Sequence, residues 1–193
     1  KQLMIQIQEL IKHFVLGIAS IFILNNVMAD DTKIRNFADE IREVKEEYSK
    51  DSFEYSIPNS FILTVATAET GNMQFQGAPT AKKAKNYFGI HPTGDDEFLP
   101  TSGGAKLRKF ENSKDSIHAF LKLITTGSAY DNVRKAIEQG QSIEKLFMGM
   151  GSYAEKSDYP QFLNTVYRTR VNEILNPILP KRKPLNVQMQ GLN

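Results

Sequence analysis

The residue with the clearest chemical potential in the sequence is Glu69, which ends an apolar stretch. Phe61, Val65 and Glu69 are spaced i, i+4 and i+8, so they lie on one face if residues 57–69 form a helix. Burial at the end of an apolar stripe and the negative end of the helix dipole both oppose ionisation, which should raise the pKa of the carboxyl. A carboxylic acid that stays protonated near neutral pH suits general acid cleavage of a glycosidic bond. The alternative is a carboxylate at a fraying helix end that turns to solvent.

Three further carboxylates follow at positions 95–97, in a polar stretch of the chain. We expect Glu97 to have the chemical role, because apolar residues follow it and can fix it to a strand, whereas the two aspartates follow turn-forming residues. If Glu97 activates water in an inverting reaction, its carboxyl should lie about 6.5–9.5 Å from that of Glu69. The alternative is that all three are solvated loop charges.

Four aromatic residues are candidates for contact with a sugar. Tyr87 and Phe88 precede a glycine, and Tyr153 and Tyr159 flank a polar turn. Aromatic faces suit the apolar faces of pyranose rings. Each pair also has a structural alternative, since the first could form a packing corner under a loop and the tyrosines could belong to the core.

Composition and charge exclude several other classes of function. The chain has 193 residues, a formal net charge of +2 and no cysteine. The small net charge gives no basic footprint for duplex nucleic acid, and the lack of cysteine excludes disulfide scaffolds, thiolate zinc sites and cysteine nucleophiles. His13, His91 and His118 are too scattered for a metal site, and the sequence has no glycine-rich phosphate loop. We therefore expect no metal ion, no organic cofactor and no nucleic-acid partner.

The apolar periodicity around these candidates predicts a mostly helical domain at residues 30–178. Residues 71–112 are rich in glycine, proline, asparagine and aspartate, which predicts loops with a small strand or hairpin region. Pro58 should help to start the helix that carries Glu69, and Gly71 should stop it. Helices are expected at 31–48, 57–69, 113–126, 131–139, 142–148 and 158–175.

The two ends of the chain differ in composition from this domain. Residues 1–29 combine a basic N-terminal stretch, a short apolar block and small residues at the expected cleavage site, which is typical of a secretory signal peptide. Residues 179–193 contain a Lys-Arg-Lys run and are expected to form a flexible basic tail. We therefore expect a periplasmic or secreted protein with no stable membrane span after processing, or a membrane-anchored protein if the signal segment is not cleaved.

Several of these segments, taken in order, resemble the glucosaminidase family of peptidoglycan hydrolases (mannosyl-glycoprotein endo-β-N-acetylglucosaminidase-like). The spacing is most similar to the Bax-like branch of that family. Two features depart from the family pattern, since no tryptophan follows Gly71 and the insert after Ile90 is short. The resemblance is carried by residues 57–71 (IPNSFILTVATAETG), 84–90 (AKNYFGI), 106–117 (KLRKFENSKDSI), 151–154 (GSYA) and 158–159 (DY).

This resemblance implies a lysozyme-like, mainly α (α+β) domain with a small β lobe. It also implies cleavage of the β-1,4 bond after N-acetylglucosamine in peptidoglycan glycan strands, with Glu69 at the position of the catalytic acid. In one route Glu97 would activate the water that attacks the sugar. In the other route the acetamido group of the substrate would attack first, in place of water. Two other functions compete with this one: a lytic transglycosylase that uses the same acid without water, and a non-catalytic glycan-binding envelope protein. The oligomeric state is not indicated by the sequence.

Overall fold

The computed structural model describes residues 31–154 and 156–176. The predicted signal peptide at 1–29 and the predicted basic tail at 179–193 lie outside the described residues and stay predictions. Within the described part of the chain, none of the helices is long and apolar enough to cross a membrane.

The described residues form a helical domain with one small antiparallel hairpin. Strands β1 and β2 pair so that Phe98 lies opposite Arg108. A π-helical turn at Tyr167–Val171 joins the last two helices. In chain order the elements are α1 (31–46), α2 (Phe53–Ser56), α3 (Asn59–Glu69), α4 (Pro79–Lys83), β1 (Phe98–Pro100), β2 (Lys106–Arg108), α5 (Ser113–Thr126), α6 (Asp131–Glu138), α7 (Ile143–Met148), α8 (Tyr159–Val166) and α9 (Asn172–Leu175).

Helix α3 runs through the middle of the core and ends at Glu69. Residues 61–67 are all buried, as expected for a helix that is apolar nearly all round. The ring of Phe61 lies 6.2 Å from Phe120 and 5.9 Å from Phe147 between centroids, so α3 is fixed against α5 and α7. Truncating such a buried phenylalanine to alanine typically costs about 3–5 kcal/mol of stability. The core therefore fixes the helix whose last residue is Glu69.

Helix α3 ends at Glu69 as predicted and starts at Asn59, two residues later than the predicted residue 57. Pro58 occupies the N-cap with extended backbone, so its missing N–H removes no helical hydrogen bond. At the other end Thr70 is the C-cap and Gly71 takes φ +56°, a left-handed conformation that terminates a helix. The chain therefore turns sharply just after Glu69.

The small β lobe is anchored to the loop that precedes it. The backbone N–H of Arg108, in β2, donates to the carbonyl of Ile90 at 2.9 Å, and that of Phe110 donates to the carbonyl of Ala84 at 2.8 Å. These hydrogen bonds tie residues 84–90 to the end of the hairpin. The loop with the Asn86-Tyr87-Phe88-Gly89 sequence is thus held between the helical core and the β lobe.

The expected fold class, mainly α with a small β lobe, is confirmed, and several local features differ from expectation. The short helices α2 (Phe53–Ser56) and α4 (Pro79–Lys83) lie where no helix was expected. The first helix ends at residue 46 rather than 48. The helix predicted over 158–175 is interrupted by the π-helical turn at Tyr167–Val171. Short or locally widened helices leave little trace in apolar periodicity, which explains the first and third differences.

Candidate active site

The carboxyl of Glu69 is partly buried at the end of α3 and is hydrogen-bonded through one oxygen. Its Oε1 accepts from the hydroxyl of Tyr159 at 2.6 Å. Burial raises the pKa of Glu69, and the Tyr159 hydrogen bond lowers it by a smaller amount. The raised pKa agrees in direction with the expectation from the sequence. The carboxyl can therefore hold a proton at a pH where an exposed glutamate is ionised.

The second oxygen of the Glu69 carboxyl faces Gly89. A Cβ atom built at Gly89 would lie 3.0 Å from Glu69 Oε2, and Gly89 has φ +65°, which side chains rarely adopt. Glycine is thus required for both space and backbone conformation. Because Oε1 accepts from Tyr159, the proton of the neutral carboxyl belongs on Oε2, on the side of the Gly89 backbone.

Asn86 fixes the loop that brings Gly89 to this position. It is 1% exposed, and its amide nitrogen donates to the carbonyls of Ile90 and Arg108 at 2.8 and 2.9 Å. Its Oδ1 accepts from the backbone N–H of Ile90 at 3.0 Å and of Phe88 at 3.4 Å. A single side chain therefore closes the loop on itself and attaches it to β2.

Tyr153 and Tyr159 stack on each other beside Glu69, with centroids 5.7 Å apart and planes 11° from parallel. The hydroxyl of Tyr153 donates to the carbonyl of Phe88. Burial, followed by the charge of Glu69, raises the pKa of both tyrosines. Both hydroxyls therefore stay protonated and act as donors, one to Glu69 and one to the loop that carries Gly89.

Tyr159 is 5% exposed, and its hydroxyl is used by the hydrogen bond to Glu69. Tyr153 is partly exposed, and its ring also lies edge-on to Phe120, with centroids 6.1 Å apart. Of these two tyrosines, Tyr153 therefore has the more accessible side chain.

Tyr87 and Phe88 occupy different environments although they are neighbours in the chain. The side chain of Phe88 is fully buried and stacks on Phe120 at 4.3 Å, so it packs in the core, which differs from the expected contact with a ligand. Its contribution to the site is the carbonyl that accepts from Tyr153. Tyr87 is partly exposed and stacks on Phe37 at 4.5 Å, facing α1.

Glu97 lies beside the hairpin in an exposed ion pair. Its Oε2 lies 2.7 Å from the ammonium nitrogen of Lys109, and its side chain is 76% exposed. The hydrogen bond and charge of Lys109 lower the pKa of Glu97. The neighbouring Asp96 has its pKa lowered first by the backbone N–H of Thr93, which donates at 2.9 Å. Both carboxylates are therefore ionised at neutral pH. A carboxylate must be ionised to accept a proton from water.

Sequence reasoning missed the contacts of Gly89 and Tyr159 with the acid, and it missed the part that Asn86 plays in holding the loop of Gly89. The available signals were the glycine directly after an aromatic pair and the polar Asn86 within an apolar loop. Within the described ranges, no group of three histidine, aspartate or glutamate side chains is arranged to hold a metal ion.

Comparisons with known proteins place this geometry in a family. The catalytic domain of the autolysin Auto from Listeria monocytogenes, a crystal structure, has 18% sequence identity and a TM-score of 0.52; the match covers 73% of this chain and 84% of that one. This likeness shows a shared fold. A search of curated protein sequences gave no match. The family model for mannosyl-glycoprotein endo-β-N-acetylglucosaminidase matches residues 45–171. The chain therefore belongs to this glucosaminidase family, and its domain is of the glycosidase type.

Proposed function

We propose that this domain is a peptidoglycan hydrolase that cleaves the β-1,4 bond after N-acetylglucosamine, with Glu69 as the general acid. The observation that carries the proposal is the setting of one carboxyl: burial raises its pKa, one oxygen is held by Tyr159 and the other faces Gly89. Membership of the glucosaminidase family supports the reaction class. The autolysin with the same fold supports the choice of peptidoglycan as substrate.

In the proposed reaction Glu69 transfers its proton from Oε2 to the glycosidic oxygen as the bond from that oxygen to the anomeric carbon breaks. The electron pair of the bond leaves with the protonated oxygen, and positive charge develops on the sugar ring. Glu69 becomes a carboxylate, which the Tyr159 hydrogen bond stabilises more strongly than it stabilises the neutral acid. The same tyrosine thus positions the acid before proton transfer and favours the charge that forms.

Water completes the reaction by adding to the anomeric carbon from the opposite face. We propose Glu97 as the base that takes the water proton, supported by its ionised state and by its place next to the hairpin. The second route uses the acetamido oxygen of the substrate as the first nucleophile and needs no second carboxylate. Tyr153 is proposed to contact the glycan, and no cofactor takes part.

The second candidate is a lytic transglycosylase, which cleaves the bond after N-acetylmuramic acid. There the hydroxyl on carbon 6 of that same residue replaces water, attacks its own anomeric carbon to close an anhydro ring, and gives its proton to the Glu69 carboxylate. One observation favours it: Glu97 is largely exposed and paired with Lys109, whereas Glu69 is the buried acid. A non-catalytic glycan-binding protein with the same groove is a third candidate, favoured by the asparagine that stands where many relatives are expected to carry tryptophan. The substrate implies action in the periplasm or outside the cell, after export.

Product analysis tests the proposal. Purified peptidoglycan is digested with the full chain, and the fragments are separated and identified by mass. Hydrolysis after N-acetylglucosamine leaves reducing N-acetylglucosamine ends. Fragments ending in anhydro-muramic acid would instead indicate transglycosylation. Intact glycan strands would indicate a protein that binds glycan without cleaving it.

A further inference from the structure

A cavity of about 380 Å³ lies between α1 and the segment that follows α3. Helix α1 contributes Lys33, Asn36, Phe37 and Glu40, which are spaced i, i+3, i+4 and i+7 and so form one stripe of the helix. The volume is within the range of small-ligand sites. The cavity is lined by Tyr87 as well, the residue that the sequence suggested as a ligand contact.

The opposite wall is a backbone segment in an unusual conformation. Asn72, Met73 and Phe75 have φ of 59°, 61° and 55°, in the left-handed region that large side chains avoid. Asparagine tolerates this conformation, but at Met73 and Phe75 it costs about 1–2 kcal/mol each. Thr70 holds the segment in place, because its hydroxyl oxygen accepts from the N–H of Met73 at 2.9 Å and its carbonyl accepts from the N–H of Phe75 at 2.7 Å. Strain of this kind persists where the surroundings enforce it, and it is common at ligand sites.

Charged side chains of both signs line the cavity. Glu40 Oε2 is shielded from solvent and has no hydrogen-bond partner among the described residues. Lys33 and Lys82 line the same cavity with exposed side chains, and the ammonium of Lys33 donates only to the amide oxygen of Gln74, at 3.3 Å. Burial, followed by the charge of Glu40, raises the pKa of Tyr87, whose hydroxyl therefore stays protonated.

We propose that this cavity binds a short peptide through a free amine at Glu40 and a carboxylate at Lys33 and Lys82, and that the peptide is a stem of the glycan substrate. The identity of the peptide rests on the proposed function. N-acetylglucosamine carries no charge, and N-acetylmuramic acid without its stem carries only a lactyl carboxylate, whereas a peptide stem can carry both an amine and a carboxylate. The amides of Asn36 and Gln74 suit peptide bonds.

The charged groups of α1 stand at opposite ends of its stripe in the cavity. Lys33 and Glu40 are seven residues apart, which is about 10 Å along a helix. The cavity therefore offers a basic and an acidic group at separate positions, which suits a ligand that carries both an amine and a carboxylate.

Titration calorimetry tests the site without any glycan. The probe is the synthetic tripeptide N-acetyl-L-alanyl-γ-D-glutamyl-meso-diaminopimelate, added to the full chain; its acetylated terminus matches the amide bond that joins the stem to muramic acid, and the diaminopimelate amine stays free. We expect saturable binding, weakened at least about tenfold by Glu40→Gln, the loss expected for one hydrogen bond to a charged group. Lys82→Ala should also weaken binding. The matched control is Glu43→Gln on the same helix, since Glu43 is exposed and pairs with Lys114 at 2.7 Å. No binding to the wild type, or an unchanged Kd in Glu40→Gln, would overturn the proposal.

Kinetics on two substrates separate this inference from the proposed function. Glycan strands with intact peptide stems and strands stripped of stems by an amidase are digested in parallel. Glu40→Gln should raise KM about tenfold on stem-bearing strands and leave KM on stripped strands and kcat unchanged. Equal effects on both substrates would contradict peptide recognition. If the wild type cleaves neither substrate, the proposed function fails while the calorimetry still decides whether the peptide binds.

Discussion

Glu69 and Glu97 are the same chemical group, yet the domain places them in opposite settings. Glu69 ends a buried helix, and burial outweighs its hydrogen bond with Tyr159, so its pKa is raised. Glu97 stands beside the exposed hairpin, and its hydrogen bond and ion pair with Lys109 lower its pKa. Between the two pKa values, one carboxyl is protonated while the other is ionised.

The difference shows that the number of partners does not decide the protonation state of an acid. Each glutamate has a hydrogen-bond donor at 2.6–2.7 Å. Tyr159 is a neutral donor in a water-poor site, whereas Lys109 brings a full positive charge into an exposed one. The burial of Glu69 is therefore the feature on which the proposed acid catalysis depends.

Removing the Glu69 acid should have the largest effect on activity. Glu69→Gln keeps the shape of the side chain and removes the transferable proton, so the rate should fall at least about 100-fold. The variant should stay folded, as circular dichroism and thermal melting can check. Glu138→Gln, at the exposed end of α6, is the control and should be fully active. A folded Glu69→Gln protein with normal activity on purified cell wall would refute the assignment.

Filling the space beside Glu69 Oε2 should have the next largest effect. Gly89→Ala places a methyl group 3.0 Å from that oxygen and should lower kcat/KM about 10- to 100-fold, since small misplacements of catalytic groups have effects of this size. The matched control is Gly94→Ala, because Gly94 also has positive φ but its added Cβ would meet nothing within 4 Å. Both variants should lose about 1–2 kcal/mol of stability. Equal activities in the two variants would show that Oε2 does not face the substrate.

Glu97→Gln tests whether the exposed carboxylate acts as the base. If Glu97 activates water, hydrolysis should slow with little change in melting temperature, and added azide should restore part of the rate. Asp95→Asn, an exposed neighbour in the same loop, is the control. An unchanged rate in Glu97→Gln would remove this residue from the reaction and favour assistance by the substrate or transglycosylation.

Tyr159→Phe should produce the smallest and most specific change. The Tyr159 hydrogen bond stabilises the ionised form of Glu69, so its loss raises the pKa of Glu69 further. A general acid is active when protonated, and activity therefore falls as pH rises through that pKa. The descending limb of the plot of kcat/KM against pH should move to higher pH in the variant. A shift to lower pH would mean that Tyr159 does not stabilise the carboxylate.

The helix of the acid was predictable because local features define it. An uninterrupted apolar run, a proline before it and a glycine after it fix α3 and place Glu69 at its end. Helix α4 was missed because five residues with a single buried side chain, Ala81, give no periodic pattern. The local sequence was therefore enough to predict this helix, its approximate boundaries and the direction in which the pKa of Glu69 shifts.

The surroundings of the acid could not be read from spacing, because they are long-range contacts. Tyr159 meets Glu69 across 90 positions of the chain, and Tyr153 meets Phe88 across 65. The sequence suggested Phe88 as a ligand contact, but its ring lies in the core and only its carbonyl serves the site. Tertiary packing decides which atom of a residue faces a site, and the periodicity of the sequence does not contain this information.

The most direct test of the account is a carbon-13 NMR titration of the glutamate carboxyls in the full chain, with the Glu69 signal assigned by its absence in Glu69→Gln. We expect Glu69 to titrate above the ordinary glutamate pKa of 4.5 and Glu97 to titrate below 4.5. Lowering of the Glu97 pKa should disappear in Lys109→Ala, whereas the Glu69 pKa should not change. A Glu69 carboxyl that titrates at or below 4.5 would contradict the claim that burial prepares it to donate a proton.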